Sequence, residues 1–256
     1  MNKQSRTLLK KLDLIPPNTV VVSSWLQKLG ISRNLQYVYR QNGWLTAIGK
    51  GAFLKFSSKQ ATFPGAVYAL QKQAELNVHV GGMAALVLHG NTHYGRFKNN
   101  WQLFANRGVV LPKWFKEYNF GSNDRWKLFN TDFLPGNLAL QEYDTGNFTI
   151  TISRVERAVF EALYLAPKEV GLQEMSEIFG QLRTLRPNIL QNLLEQCKSI
   201  RVKRLFLFFA DKKQLAWFKR LDLSKIDLGS GARKITKNGK FDGKYNIVIE
   251  DLGTNE

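Results

Sequence analysis

Residues 19–56, TVVVSSWLQKLGISRNLQYVYRQNGWLTAIGKGAFLKF, decide how this chain is read. Their order of signals is a short helix, a turn with a glycine, a second helix and a two-stranded hairpin with a basic tip. That order predicts a winged helix-turn-helix, a shape whose second helix fits the DNA major groove. Ser23 or Ser24 is placed to cap the first helix, which turns Trp25, Leu26 and Leu29 inward. Gly30 supplies the backbone freedom to end that helix, and Ile31 plugs the angle between the two helices. Ser32 caps the second helix, predicted to run to about Asn42. Ile31, Leu35 and Val38 recur at helical spacing and predict its buried stripe. The opposite face carries Arg33, Asn34, Gln36, Tyr37, Arg40 and Gln41. Arginine pairs bidentately with guanine, and asparagine or glutamine with adenine, so these are side chains that read a major groove. Residues 44–48 and 52–56 read as wing strands joined by Gly49-Lys50-Gly51. Ser32, Arg33, Asn34, Gln36, Tyr37, Arg40 and Lys50 are therefore the predicted DNA-binding set.

The charge is concentrated in the same region. Residues 1–60 hold ten Lys or Arg (3, 6, 10, 11, 28, 33, 40, 50, 55 and 59) against one acid, Asp13. The net of plus nine there leaves plus eight for all later residues, out of a total of plus seventeen. Basic charge alone fits a solvated helical face equally well. Joined to the turn, the caps, the polar helix face and the basic wing, it points to double-stranded DNA, whose phosphates supply sequence-independent affinity.

At 256 residues the chain has room for two domains with real cores, and 44% hydrophobic and 12% aromatic content describe a globular protein. The single cysteine, Cys197, excludes an internal disulfide and offers no pair for a metal. No apolar run has the length of a signal peptide or a membrane span, so a soluble cytoplasmic protein is expected. A leading helix with Leu8, Leu9 and Leu12 inward is expected to stop at Pro16-Pro17. The polar stretch 57–62 reads as a linker. It divides a winged helix-turn-helix domain, 1–60, from a larger mixed α/β (α+β) domain, 61–256. In the latter, helices are predicted at 63–75, 82–88, 153–165 (opened by a Ser153–Glu156 capping box), 172–182, 187–197 and 201–209. Strands are predicted at 101–105, 126–129, 137–143, 148–152, 232–236 and 245–249, with Asp144-Thr145-Gly146-Asn147 as a hairpin turn.

Catalytic chemistry needs a constellation, and none is legible. His89 and His93 have helical spacing but no further metal ligands beside them, and His79 stands apart. Gly81-Gly82 and Gly229-Ser230-Gly231 match neither a P-loop nor a dinucleotide fingerprint and read as turns, so no cofactor is predicted. Glu142 and Asp144 share one strand face without the Glu-x-Lys that a metal-dependent nuclease would want. Downstream, Arg201, Lys203, Arg204, Lys212, Lys213, Lys219 and Arg220 interleave with Phe206, Phe208, Phe209, Trp217 and Phe218. Such a cluster stacks on single-stranded nucleic acid, or it is a helix whose rings form core. The run LFLFFA favours core.

With these residues in hand, the chain resembles the AbiEi antitoxin family over nearly its full length. The segments that carry the likeness are SSWLQKLGISRNLQYVYRQNGWL with its GKGAF wing, then GAVYALQ and VHVGGMAALVLHG. ERAVFEALYLAPKE, LRPNILQNLLEQCKSIRVKRLFLFFA and WFKRLDLSKIDLGSGAR follow in order. The resemblance implies a transcriptional regulator and antitoxin of a type IV toxin–antitoxin system, linked with abortive infection against phage. It implies an N-terminal winged helix that represses a shared operon by binding inverted repeats in its promoter. It also implies a C-terminal domain that counters a nucleotidyltransferase-like toxin without a stable complex. The DNA-reading role falls on Arg33, Asn34, Gln36, Tyr37 and Arg40, with Lys50 on the wing. Arg201, Lys203 and Arg204 form the candidate patch for antitoxicity or phosphate contact. The alternative is a nucleic-acid-processing enzyme that the winged helix delivers to DNA.

Overall fold

The computed structural model describes residues 10–90, 99–121 and 123–252, so Leu8, Leu9 and His93 lie outside the described residues. In chain order the elements begin with β1 (Val21–Val22), α1 (Ser23–Lys28), α2 (Arg33–Gln41), β2 (Leu45–Gly49) and β3 (Ala52–Lys55). They continue with α3 (Phe63–Tyr68), a π-helical turn (Ala69–Gln73), β4 (Val78–Val80), α4 (Gly82–Leu88), β5 (Asn100–Ala105), α5 (Lys113–Glu117) and β6 (Arg125–Asn130). Next come β7 (Leu140–Asp144), β8 (Thr149–Ser153), α6 (Val155–Leu165), α7 (Leu172–Gln181), α8 (Pro187–Gln196) and α9 (Ile200–Lys212). Two 3-10 turns (Ala216–Arg220 and Leu223–Lys225) and strands β9 (Arg233–Lys234), β10 (Lys240–Asp242) and β11 (Ile247–Ile249) complete the described chain.

Contacts gather these elements into two compact units. One comprises Met1–His79, Ala105–Arg125 and Glu142–Thr151, the other Val80–Phe104, Trp126–Gln141 and Ile152–Glu256. The expected boundary at residue 60 falls inside the first unit. Residues 57–62 are not a free linker there: Ser58 and Ala61 are buried, the Asn18 N–H donates to Ser58 Oγ at 2.9 Å, and Thr62 caps α3.

In the first unit, α1, α2 and the β2–β3 hairpin follow the predicted order. β1 adds a third strand in the order β1-β3-β2, antiparallel throughout, with Val21 opposite Phe53 and Leu45 opposite Lys55. The buried side chain of Gln73 completes β1, donating to Val20 O at 2.9 Å and accepting from the Val22 N–H at 2.7 Å. Leu12, Ile15, Val21, Leu26, Ile31, Tyr39, Leu45 and Phe53 form the core under the helices. The N-cap of α1 is Val22, whose apolar side chain offers no cap, and the Ser23 hydroxyl donates to Gln36 instead. A separate aromatic cluster anchors α5: Phe63 lies 5.6 Å from Phe115 and 5.3 Å from Phe120, centroid to centroid. Such pairs add about 0.5–1.5 kcal/mol each beyond their buried area.

In the second unit α4 packs on α6, and α9 is buried on most of its circumference. Phe206 of α9 stacks on Phe160 at 4.5 Å and meets Phe179 edge-on at 5.5 Å. The run LFLFFA is core, as its composition predicts. The expected Ser153–Glu156 capping box does not form. Arg154 takes the N-cap position without a side-chain capping bond, Ser153 Oγ donates to Glu161, and Glu156 accepts from Arg186.

A five-stranded sheet runs in the order β6-β5-β4-β8-β7, with β4 and β8 parallel through Val80 and Ile152. β7 and β8 are joined by the predicted turn, in which the Gly146 N–H donates to Asp144 Oδ1 at 2.8 Å. β11 lies between antiparallel β10 and parallel β9 in a small third sheet. Among the described residues no helix is long and apolar enough to cross a membrane.

Candidate nucleic-acid interface

The helix predicted after Ser32 forms as α2, but it is turned by about one residue from the face its polarity suggests. Ser32 caps α2, accepting from the Leu35 N–H at 3.3 Å, and the helix buries Gln36 and Tyr39. Gln36 is therefore no base reader. It is 3% exposed, donates to Ile31 O at 2.9 Å and to Ser23 O at 3.1 Å, and accepts from the Ser23 hydroxyl at 2.7 Å. One buried amide thus ties the start of α1 and the turn to α2, a role that compensates the cost of burying it. Tyr39 takes the inward place expected of Val38, and its ring meets Trp44 at 5.2 Å. Burial raises the Tyr39 phenol above its ordinary pKa.

The outward face holds Arg33, Asn34, Tyr37, Val38, Arg40 and Gln41. Tyr37 is 58% and Val38 46% exposed, which is unusual for apolar side chains on a packed helix. Periodicity misses Val38, because Val38 and Tyr39 compete for one slot. The aromatic partner at Trp44 is the signal that settles it. Lys50 is exposed at the hairpin tip, on a turn bounded by a bulge between Ala47 and Gly49. Three other cations of this region are occupied: Lys11 donates to Leu29 O, Lys55 to Ile15 O, and Lys28 pairs with Glu75 at 2.8 Å. Arg33, Arg40 and Lys50 have no ion pair among the described residues, so their charge faces outward unneutralised.

The second predicted patch is overturned by burial. Lys203 is 3% and Arg204 2% exposed. Arg204 donates to Leu228 O (2.8 Å), Gly229 O (2.9 Å), Gly231 O (2.6 Å) and Asn246 O (2.8 Å). Its planar fork is a staple that gathers the 228–231 loop and the approach to β11 onto α9. Arg201 likewise donates to the carbonyls of Ala166 and Tyr164 at the end of α6. Burial lowers the pKa of both guanidiniums. Arg201 and Arg204 hold a helix end and a loop, and Lys203 and Arg204 present almost no surface to phosphate.

The other candidates resolve in the same way. Gly82 opens α4 with φ +54, and an added Cβ on Gly81 would stand 2.1 Å from Glu161 Oε2. The carboxylate of Glu161, fully buried, accepts from the Gly82 N–H (3.0 Å), Ser153 Oγ (2.7 Å) and Arg157 Nε (2.7 Å). The glycine pair thus accommodates the protein's own carboxylate. His89 Nε2 donates to Ser153 O at 2.9 Å, and His79 is buried. Glu142 pairs with Lys72 at 2.8 Å and accepts from the Thr149 hydroxyl, bonds that hold its carboxyl below the ordinary range. Burial pushes the Cys197 thiol up to about 11. Among the described residues no group of three or more His, Cys, Asp or Glu could hold a metal ion.

Two family models divide the chain between them. Residues 4–97 match "Transcriptional regulator, AbiEi antitoxin N-terminal domain", and residues 98–250 match "Transcriptional regulator, AbiEi antitoxin, Type IV TA system". The chain belongs to the AbiEi family. Its members are transcriptional regulators and antitoxins of type IV systems, which implies DNA and a toxin as partners. No curated protein matches the chain. The solved RV2827C protein from Mycobacterium tuberculosis shares the fold, with a TM-score of 0.59 at 13% identity, over 96% of this chain and 89% of that one. The AbiEi models meet at 97/98, whereas contact places Ala105–Arg125 of the second model within the first compact unit.

Proposed function

We propose that this AbiEi protein represses the operon it shares with its toxin, laying α2 in the major groove of inverted repeats in the promoter. The observation that carries this reading is the outward face of α2. It sets two arginines without ion-pair partners beside Asn34 and Tyr37, followed by a hairpin with Lys50 at its tip. Arg33, Asn34 and Arg40 are the base readers, Val38 offers an apolar surface to a thymine methyl, and Lys50 holds phosphate. Ser32 acts by fixing the first turn of α2. The second unit carries antitoxin activity against a nucleotidyltransferase-like toxin, without a stable complex. Family membership supports that assignment, and finding a nucleotidyltransferase-like gene beside this one would be its genetic signature.

The test uses the full chain and its own promoter. Arg33→Ala and Arg40→Ala should each weaken operator binding by about 1–3 kcal/mol and relax base preference at one position. Lys50→Ala should weaken binding to all duplexes alike and flatten the salt dependence. Operator affinity and reporter repression unchanged in the double arginine variant would remove α2 from the DNA-reading role.

A further inference from the structure

We infer that α5, far from α2 in sequence, is a second phosphate-binding element of the DNA interface, with Lys113 and Lys116 as its contacts. This rests on the DNA-binding reading above and extends it to a segment outside the N-terminal family model.

The placement follows from packing. A Cβ added to Gly49 would stand 2.8 Å from Trp114 Cβ and 3.2 Å from Trp114 Cα, so the backbone of α5 lies directly against the hairpin tip. Lys50 follows Gly49 and Lys113 precedes Trp114, so chain geometry limits the separation of their Cα atoms to about 12 Å. Trp114 and Phe115 are buried, the latter in the Phe63–Phe120 cluster. With those two residues turned inward, Lys113, Lys116 and Glu117 share the exposed face at three- and four-residue spacing. Lys113 has only an exposed pair with Glu117 at 3.5 Å, of a kind that contributes little, and Lys116 has no ion pair among the described residues. The loop bearing exposed Lys59 is tied to the residues just after α5. There the Ala61 N–H donates to Tyr118 Oη at 3.2 Å and Gln60 Nε2 to Asn119 O at 3.3 Å. The wing and α5 therefore form one supported basic ridge, and the ligand chemistry that fits it is the sugar-phosphate backbone of duplex DNA beside the bases read by α2.

Salt-dependent binding of full-length Lys113→Ala/Lys116→Ala tests this against both the operator and an unrelated duplex. Each phosphate contact contributes about 0.9 to the slope of log affinity against log salt. Loss of both lysines should flatten that slope by about two and weaken binding about five-fold per lysine at 0.15 M salt, equally for both duplexes. Lys168→Ala, an exposed lysine of the second unit, should leave the slope unchanged. If the double variant keeps the parental slope while Arg33→Ala/Arg40→Ala loses operator binding, the role of α5 is refuted and α2 stands. If neither variant moves binding, the DNA-reading assignment itself fails. An equal slope change in Lys168→Ala would reduce the effect to net charge and overturn the local assignment.

Discussion

Gln36→Met separates two roles that the sequence alone confuses. Methionine keeps the length of the side chain and removes its amide, so the change leaves no large cavity. What is lost can be counted from the structure: the bond to Ile31 O at 2.9 Å, the bond to Ser23 O at 3.1 Å and the Ser23 hydroxyl bond at 2.7 Å. Ser23 O keeps its place in the helix and the half-exposed Ser23 hydroxyl can turn to water, so each of those losses costs about 1 kcal/mol. Ile31 O sits in the interhelical turn, and losing its buried donor costs about 1–3 kcal/mol. The total is roughly 3–5 kcal/mol of stability. Urea denaturation followed by circular dichroism reads that loss, and operator titration at low temperature reads DNA binding of the folded fraction. Expected are a clear drop in the denaturation midpoint and base discrimination like that of the parent. A base reader would behave in the opposite way, with discrimination falling by about 1–3 kcal/mol at one adenine and the midpoint unmoved. That second pattern would refute the inward placement of Gln36.

Three further changes probe the second unit. Glu161→Gln leaves Arg157 buried without its carboxylate and should cost about 3–5 kcal/mol, read by denaturation; a loss below 1 kcal/mol would contradict the ion pair seen at 2.7 Å. Arg204→Lys keeps the charge and removes the fork that reaches four carbonyls, so stability should fall by roughly 2–4 kcal/mol with DNA affinity of the folded protein unchanged. A stable Arg204→Lys variant with weakened DNA binding would restore the phosphate-contact role. Burial pushes the Glu156 carboxyl up, but the Arg186 guanidinium and backbone bonds outweigh it and hold the carboxyl below its ordinary value. The stability this pair contributes is present above about pH 4.3 and is lost as pH falls through the lowered native value. Arg186→Ala should therefore lower stability at pH 7 and flatten its decline between roughly pH 5 and 3; an unaltered acid decline would clear Glu156 of that role.

Where local rules govern, the sequence is a good guide to this fold. Ser32 caps α2, Asp144-Thr145-Gly146-Asn147 turns a hairpin, and the apolar run of α9 is core, because each depends on neighbours within a few residues. The failures share a cause. Gln36 looks like a reader because polarity stands in for exposure, while its true partners are a turn carbonyl and a serine thirteen residues away. Arg201 and Arg204 look like a surface because their acceptors lie in segments 24–42 residues distant. The Gly81-Gly82 pair reads as a turn, and only distant side chains explain both glycines: Glu161, 79 residues from Gly82, fills the space beside Gly81, and Gln102 that beside Gly82, whose φ is +54. In the proposed interface, Arg33, Asn34, Tyr37, Arg40 and Lys50 are exposed as expected, while the exposure of Val38 and the support of the hairpin by Trp114 emerge only from tertiary packing.

The aromatic cluster that joins Phe63 to Phe115 and Phe120 has a consequence for how the protein is made. The first compact unit is completed by residues 105–125 and 142–151, so its N-terminal stretch leaves the ribosome before the side chains that finish its core have been synthesised. At about 5–20 residues per second, the 72 residues between positions 79 and 151 take roughly 4–14 s to translate. Until residue 120 is made, Phe63 and the back of the β2–β3 hairpin lack their partners. A gene cut at residue 60 or at the junction of the two family models would extend that state indefinitely, yielding α1, α2 and the β2–β3 hairpin with an unfinished flank rather than an independent module.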